Sequence, residues 1–276
     1  MKVAMMIIIL IPLLLCAEQW TVIQDGTGDY NSIQTAIDNC QEGDEILVYP
    51  GRYFENINPQ GKSDLSIYSL EYTMGNVAYI DSTIIDGTEN GACINLINGE
   101  QNWIIRGFSI TGGSGYSSLY CFSSIGGGVA IHLCTLSLIN CEIYGNYAFE
   151  GGAVNTDQSD LYLSGVSIHD NIAYEFGGGI IFNAALSPYA PVYEIEFDPD
   201  NCCSIYHNYG PVCQDLFLQR TEDAEVYLDT VSVADPGNYF IYCRNGTYTL
   251  DYLNSIETEI DADLYVSPWG DDENSG

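Results

Sequence analysis

Short runs of alternating apolar and polar residues recur at a nearly constant spacing through the middle of the chain. A glycine-rich phrase followed by an apolar strand recurs at intervals of 24 and 27 residues, at 126–131, 150–155 and 177–182. An Ile-x-x-Asn phrase follows each copy, at residues 143–146, 168–171 and 205–208. A repeat of this length, built from short strands, is typical of a solenoid in which each repeat forms one coil.

Because neighbouring coils of such a solenoid lie about 4.8 Å apart, residues at one repeat position form a row along its axis. With a degenerate fourth coil at 226–233, we expect three inward rows: Leu138, Leu163 and Leu228; Ile143, Ile168, Ile205 and Val233; Cys141, Val166, Cys203 and Val231. A row of Asn146, Asn171 and Asn208 follows a strand, where asparagine tolerates left-handed backbone and can hydrogen-bond its own stack. We interpret this row as structural, and the glycine triplets as tight corners.

The N-terminal part of the chain reads as a short helix among strands. Residues 31–40 carry an apolar stripe at i, i+3, i+4 and i+7, and Asn31 is the expected N-cap. Alternating or apolar runs predict strands at 20–23, 45–49, 52–57, 65–70, 79–81, 84–87, 94–97 and 103–110. Two segments, 114–125 and 184–201, interrupt the repeats and are expected to be insertions.

The two ends of the chain differ from the repeats. Residues 1–17 have Lys2, an apolar run and then Ala17, as in a secretory signal peptide, and the run is too short to span a bilayer comfortably. Lipidation at Cys16 is left open. We therefore expect a secreted or cell-surface protein with one β-helix domain at 18–260, followed at 261–276 by the start of a further module or an acidic tail.

Charge restricts the partners. The chain has six Lys and Arg against 38 Asp and Glu, a formal net charge of -32. A surface this acidic repels nucleic acid and anionic lipid, so nucleic-acid binding is excluded. The carboxylates leave Ca²⁺ open as a ligand, although we expect no cofactor and predict no metal-binding residues.

Nine cysteines follow the leader, so they cannot all pair with one another. Cys141 and Cys203 share their repeat position with Val166, which indicates buried thiols rather than a disulfide. Possible pairs remain among Cys121, Cys134, Cys202 and Cys213.

Residues 21–30, 33–37 and 46–57 together resemble the first turns of the pectin-lyase-like right-handed parallel β-helix proteins, pectin methylesterases in particular. The resemblance implies an all-β fold, a right-handed single-stranded parallel β-helix, with the 31–40 helix covering its N-terminal end. It covers those first turns only. The catalytic Asp, Gln and Arg motifs of pectin methylesterases do not occur here, which argues against carrying over their activity.

The outward rows are where a function could lie. Tyr144, His169 and Tyr206 share one row; Gly145, Asp170 and His207 form the next; Glu142, Ser167 and Ser204 lie just before them. Tyr and His offer a sugar both an apolar ring and a polar tip, and a His beside a carboxylate can act as an acid or base. The ligand-binding candidates are Tyr144, His169, Tyr206 and His207, and the weaker catalytic candidates are His169, Asp170 and His207.

These patterns favour a secreted, non-catalytic β-helix module of a larger surface protein that binds glycan or a partner protein. The alternative is a polysaccharide-active enzyme, a lyase or a pectin esterase-like protein, acting at the same residues. A third hypothesis makes the chain a spacer among further β-helix modules of one polypeptide.

Overall fold

The computed structural model describes residues 17–116, 125–184, 191–219, 223–234 and 238–258. The apolar core of the predicted leader and all of residues 261–276 lie outside these ranges, so both predictions stay predictions. Within the described residues, no helix is long and apolar enough to cross a membrane.

The protein is an all-β, right-handed parallel β-helix with three short helices. The N-terminal half contains, in chain order, β1 Gln19–Val22, α1 Ile33–Asn39, β2 Glu45–Val48, β3 Gly51–Phe54, β4 Ser66–Ser69, α2 Leu70–Met74, α3 Ala78–Ser82, β5 Thr83–Asp86, β6 Ile94–Leu96, β7 Trp103–Arg106, β8 Ser109–Thr111, β9 Val129–His132 and β10 Thr135–Ile139. The rest comprises β11 Glu142–Tyr144, β12 Tyr147–Glu150, β13 Val154–Asp157, β14 Asp160–Ser164, β15 Ser167–His169, β16 Ile172–Phe176, β17 Ile180–Asn183, β18 Ile195–Phe197, β19 Cys203–Tyr206, β20 Leu216–Gln219, β21 Ala224–Ala234, β22 Asn238–Tyr239, β23 Ile241–Arg244 and β24 Tyr248–Thr258.

Three long sheets run along the axis, and from β4 to β20 each coil contributes one strand to each of them. Sheet A has the order β1-β2-β4-β7-β10-β14-β18; sheet B runs β3-β5-β8-β11-β15-β19-β21, with β22 and β24 also on β21; sheet C runs β6-β9-β13-β17-β20-β23. All pairings among the listed strands are parallel except that of β22 with β21. Each sequence repeat therefore forms one coil of the solenoid, as predicted.

Apolar side chains fill the coil in rows. Ile143 pairs with Ile168 and Ile168 with Ile205, and all three are fully buried. Leu138 pairs with Leu163 in the same way. In a solenoid each coil contacts only its neighbours, so the core consists of contacts between adjacent coils. Burial of these apolar rows along the whole axis is the main source of its stability.

The predicted alignment of the fourth coil was wrong. Val231, not Val233, follows Ile205, because the register shifts between Cys203 and Ser204. In sheet A, Phe197 takes the place predicted for Leu228, since the supposed insertion at 184–201 contains the regular strand β18. The shift places two residues, Asp229 and Thr230, between the buried Leu228 and Val231, where the preceding coil has only Ser204 between Cys203 and Ile205.

The asparagine row is buried and continuous. The Nδ2 of Asn146 donates to Asn171 Oδ1 at 3.0 Å, Asn171 Nδ2 donates to Asn208 Oδ1 at 3.0 Å, and Asn208 Nδ2 donates to Asp215 Oδ1 at 2.9 Å. These side chains join successive coils where the chain leaves sheet B. The structural interpretation of this row is confirmed.

The left-handed backbone lies one residue before each asparagine, and here the sequence prediction was wrong. Gly145, Asp170 and His207 have φ of 63°, 54° and 53°. A residue with a Cβ pays a steric cost there that Gly145 avoids. The asparagines are therefore free to turn their amides inward.

The predicted N-terminal helix covers the end of the solenoid. Ile33, Ala36 and Ile37 are fully buried in the core. Its N-cap is Ser32, not Asn31, because the Ser32 side chain accepts from Thr35 N at 3.2 Å. The Glu55 carboxylate completes the cap by accepting from the first backbone N–H groups of the helix at 3.0 and 2.7 Å.

The helix α3 replaces the strand predicted at 79–81, and a second short helix, α2, precedes it. Ser69 caps α2 by accepting from Glu71 N, and Gly75 ends it in the left-handed region at φ 62°. Asn76 Oδ1 then accepts from Ala78 N at 3.1 Å, which turns the chain into α3. The apolar residues of this segment had suggested a strand, whereas the turn at Gly75 and Asn76 leads the chain into a helix.

The cysteines among the described residues form no disulfide bond with one another. Cys141 and Cys203 are buried thiols, as predicted, and Cys134, Cys202 and Cys213 are also unbridged. Burial raises the pKa of the Cys141 thiol to about 11 and that of Cys203 to about 12, so neither is a ready nucleophile. Cys121 lies outside the described residues.

Candidate functional site

The outer face of sheet B brings the predicted site residues together. Tyr144 of β11 pairs with His169 of β15, and His169 pairs with Tyr206 of β19. The three side chains point outward because each follows an inward isoleucine, and side chains alternate along a strand. The predicted row is thus present on three successive coils.

The three rings are stacked on one another. The Tyr144 and His169 centroids lie 5.6 Å apart with 4° between the ring planes, and the His169 and Tyr206 centroids lie 5.1 Å apart with 9° between them. The facing surfaces of the rings therefore cover one another. The part left open along the row is the ring edges and the phenol hydroxyls.

Both nitrogens of His169 face carboxylates. Nδ1 lies 2.8 Å from Asp170 Oδ2, and Nε2 lies 3.0 Å from Glu142 Oε1. Both nitrogens can donate only when the imidazole carries two protons. The His169 side chain is 14% exposed, whereas those of Glu142 and Asp170 are 32% and 64% exposed.

His169 is therefore enclosed on every side. Tyr144 covers one face, Tyr206 covers the other, and two carboxylates occupy the nitrogens. To take a proton from a substrate, the imidazole would have to give up one of these contacts. This geometry favours a role for His169 in holding Tyr144 and Tyr206 in place.

His207 lies at the edge of the stack and is exposed. Its ring meets that of Tyr206 at 74°, with centroids 5.4 Å apart, and its backbone N–H donates to Ser232 Oγ at 2.8 Å. Asp170 and His207 are the more accessible of the catalytic candidates.

Sequence reasoning missed an ion pair on the same face. Arg52 Nε lies 2.7 Å from Asp86 Oδ2, and the Arg52 guanidinium also lies over the ring of Phe54. Asp86 pairs in register with Thr111 of β8 and lies three strands from His169 along sheet B. The outward position of Arg52 in its strand indicated a side chain available for a surface contact. Its partner Asp86 could not be identified from the sequence, because the two residues are 34 apart and lie outside the repeats.

Tyr144 responds to the charges around it. Burial raises the pKa of the Tyr144 phenol, the Glu142 carboxylate raises it further, and Arg52 opposes both. The phenol therefore stays protonated and can donate a hydrogen bond over the physiological range.

A groove separates this face from α3. It has a volume of about 320 Å³ and is lined on one side by Val77, Ala78, Ile80 and Asp81, and on the other by Cys141, Glu142, Gly165 and Ser167. Because α3 was predicted as a strand, the groove could not be foreseen from the sequence. It places an apolar wall beside the carboxylate that holds His169.

Other side-chain clusters and grooves are weaker candidates for a functional site. Among the residues that the structure describes, no group of three or more His, Cys, Asp and Glu side chains is arranged to hold a metal ion. Two grooves of about 430 and 400 Å³ on the outer face of sheet A share Glu194 and Glu196 and are strongly acidic. His132 and Asp157 form an exposed pair at 2.9 Å on sheet C.

Comparison with known proteins finds similar solved structures at low sequence identity, among them pectin methylesterases. Similar solved structures include pectin methylesterase from carrot, at 14% identity over 87% of this chain and 88% of that chain with a TM-score of 0.47. Another is the deglycosylated pectin methylesterase from Aspergillus niger, at 14% identity over 90% of each chain with a TM-score of 0.44. No protein-family model and no curated protein sequence matches the chain.

Proposed function

We propose that the outer face of sheet B binds glycan and that the protein is a secreted or cell-surface β-helix module without catalytic activity. The observation that carries the proposal is the Tyr144–His169–Tyr206 stack, which repeats an aromatic position on three successive coils. A row of this kind matches a ligand that itself repeats, as a sugar chain does.

The chemistry of the row suits sugar hydroxyls. The phenol groups both donate and accept hydrogen bonds, and the carboxylates of Glu142 and Asp170 accept them. His169 holds this arrangement rigid, so a ligand would not have to order it on binding. The groove beside α3 adds an apolar wall for the less polar face of a sugar ring.

Binding can be tested on a glycan array with the purified mature chain, with and without a Ca²⁺ titration, followed by isothermal calorimetry on each glycan retained. We expect a glycan to bind, and the double variant Tyr144→Ala/Tyr206→Ala to lose that binding. Tyr174→Ala is the matched control because Tyr174 is exposed on β16, outside sheet B. Equal losses in the control and the double variant would remove the site from this face.

The alternative function is a polysaccharide lyase or carbohydrate esterase. The observation in its favour is the hydrogen-bonded trio of Glu142, His169 and Asp170, since paired carboxylates around a histidine are a common acid–base arrangement. Asp170 is the most exposed member of this trio, and the exposed His207 lies one coil further along the same row. Release of unsaturated products or of methanol by the purified chain would support it and would contradict the non-catalytic proposal.

Variants separate the two functions. A measured activity that survives in both His169→Ala and His207→Ala would dissociate catalysis from this site. Secretion is a separate proposal, and N-terminal sequencing of the exported chain tests it, with a start near Glu18 expected.

A further inference from the structure

We propose that the site takes an uncharged, hydroxyl-rich sugar chain and rejects polyuronates, with α3 as the wall that sets this preference. The inference rests on the glycan-binding function proposed above and goes beyond it by naming the class of ligand. It follows from where the charges of this face lie and how they are paired.

The ligand-facing charges are negative. Glu142 and Asp170 border the ring stack on two sides, and Asp81 enters the groove from α3. Each can accept hydrogen bonds from sugar hydroxyls. A sugar carboxylate in the same place would meet like charge at short range.

The cations that could compensate are already engaged. Arg52 is the one nearest the stack, and its guanidinium is bound to Asp86 at 2.6 and 2.7 Å. Arg106 donates to both oxygens of Glu71, at 2.8 and 3.2 Å. Lys62 donates to three carbonyls at the end of α1. Among the described residues, that leaves Arg244, which lies on β23 of sheet C and faces away from this site.

His169 does not change this balance. Even when doubly protonated, its single positive charge is shared between Glu142 and Asp170. The trio then carries a net negative charge. An anionic ligand therefore gains no counter-charge at the centre of the site.

The groove favours a neutral sugar for a second reason. Val77, Ala78 and Ile80 give it one apolar side, whereas Glu142 and Ser167 give it a side of hydrogen-bond acceptors. A sugar unit has the same two-sided character. Val77 is 68% exposed, so the wall is open to an incoming chain.

A matched pair of ligands separates the effect of ligand charge from that of the sugar backbone. Oligogalacturonate and its carboxyl-reduced derivative share one backbone and differ only in whether each unit carries a carboxylate or a CH₂OH group. A single pair of like charges about 4 Å apart costs roughly a factor of five in water and more near a protein surface. In low salt we therefore expect the reduced oligomer to bind at least about tenfold more tightly than the acid, with a smaller ratio in high salt.

Variants of exposed residues locate the effect. Asp81→Lys should shift the ratio of the two affinities about tenfold towards the acid, because the change of charge acts on the acid alone, whereas any lost hydrogen bond affects both ligands. Asp25→Lys, the same change at an exposed residue in the turn after β1, several coils from the groove, should alter neither ligand beyond about twofold. Tyr206→Ala should weaken the reduced oligomer at least about tenfold. Urea unfolding of each variant verifies that it is folded.

The outcomes distinguish the inference from the function on which it rests. Tighter binding of the acid, still lost in Tyr206→Ala, would overturn the inference and leave glycan binding on this face intact. Binding of the reduced oligomer that ignores Tyr206→Ala would overturn both. If no glycan on the array and neither oligomer binds, the proposed function itself fails.

Discussion

The imidazole of His169 and the phenol ring of Tyr206 lie parallel within 9°, with centroids 5.1 Å apart, although 37 residues separate them in the chain. Their contact is set from inside the coil, because Ile168 and Ile205 are paired in register one residue earlier and are fully buried. Shifting one strand by a single residue would turn its ring inward. The pairing of these buried isoleucines therefore fixes the geometry of the site.

We predict that Tyr206→Phe weakens glycan binding by about fivefold, the equivalent of one hydrogen bond of about 1 kcal/mol. The reason is that His169 covers one face of the ring, so the hydroxyl is the part presented to a ligand. Calorimetry of wild type, Tyr206→Phe and Tyr206→Ala with one neutral oligosaccharide measures this. A phenylalanine variant that binds like wild type would show instead that the ring face makes the contact.

We predict that Asn171→Ala lowers the free energy of unfolding by about 3–5 kcal/mol. The amide of Asn171 donates to Ile143 O, His169 O and Asn208 Oδ1 at 2.8–3.0 Å; the contacts with Ile143 and Asn208 are buried, and that with His169 is partly buried. Removing the side chain leaves several buried groups without partners at once. Urea denaturation measures the loss.

The exposed Asn31, the N-cap expected from the sequence, supplies the control for that experiment. Because Ser32 caps the helix instead, Asn31→Ala should change the free energy of unfolding by less than about 0.5 kcal/mol. Similar losses in both variants would contradict the structural role assigned to the asparagine row.

The β-helix could be predicted because each of its repeats carries the same local sequence pattern. The apolar alternation, the glycine corners and the Asn146–Asn171–Asn208 row all require one coil geometry, and a resemblance in the first turns agrees with them. The Tyr144–His169–Tyr206 row followed from the same alignment. Repetition made both the scaffold and the row visible.

What could not be predicted lies where the repeat breaks. The helix α3 follows the left-handed Gly75 that ends α2 and the turn made by Asn76, and these local features oppose the strand-like pattern of residues 79–81. The shifted register after Cys203 places two residues between the buried Leu228 and Val231 where the paired strand has one, and an alignment on a strict repeat does not anticipate this. Paired charges such as Arg52 and Asp86 need the fold before their proximity is known.

We predict that Glu71→Ala lowers the free energy of unfolding by about 2–4 kcal/mol. Burial opposes ionisation of Glu71, but hydrogen bonds from Arg106 and Asn140 outweigh it and hold the pKa of the carboxyl below its ordinary value. Removing the carboxylate leaves the partly buried Arg106 without its partner. Thermal or urea unfolding at pH 7 measures the effect.

An exposed pair provides the comparison. Asp157→Ala breaks the contact with His132 on sheet C, where both side chains are about 40% exposed, and should cost less than about 1 kcal/mol. A loss as large as that of Glu71→Ala would show that burial is not what distinguishes the two pairs.

We predict that Asp215→Asn changes how stability depends on pH. Burial raises the pKa of the Asp215 carboxyl to about 6, and hydrogen bonds from Asn208 and Ser232 offset part of the rise. The unfolded chain has the ordinary value of 3.8. The folded state therefore binds the proton more tightly, so the stability that this proton contributes is complete below about pH 4 and is lost as pH rises through 6.

The measurement is urea unfolding of wild type and Asp215→Asn at intervals from pH 4 to pH 7. Because the variant cannot ionise at this position, its free energy of unfolding should gain on wild type by up to about 3 kcal/mol across that range. Ser159→Ala is the control, since it alters a buried side chain without removing a titratable group and its offset from wild type should stay constant. A flat difference for Asp215→Asn would mean that the carboxyl ionises in the folded protein as readily as in the unfolded chain.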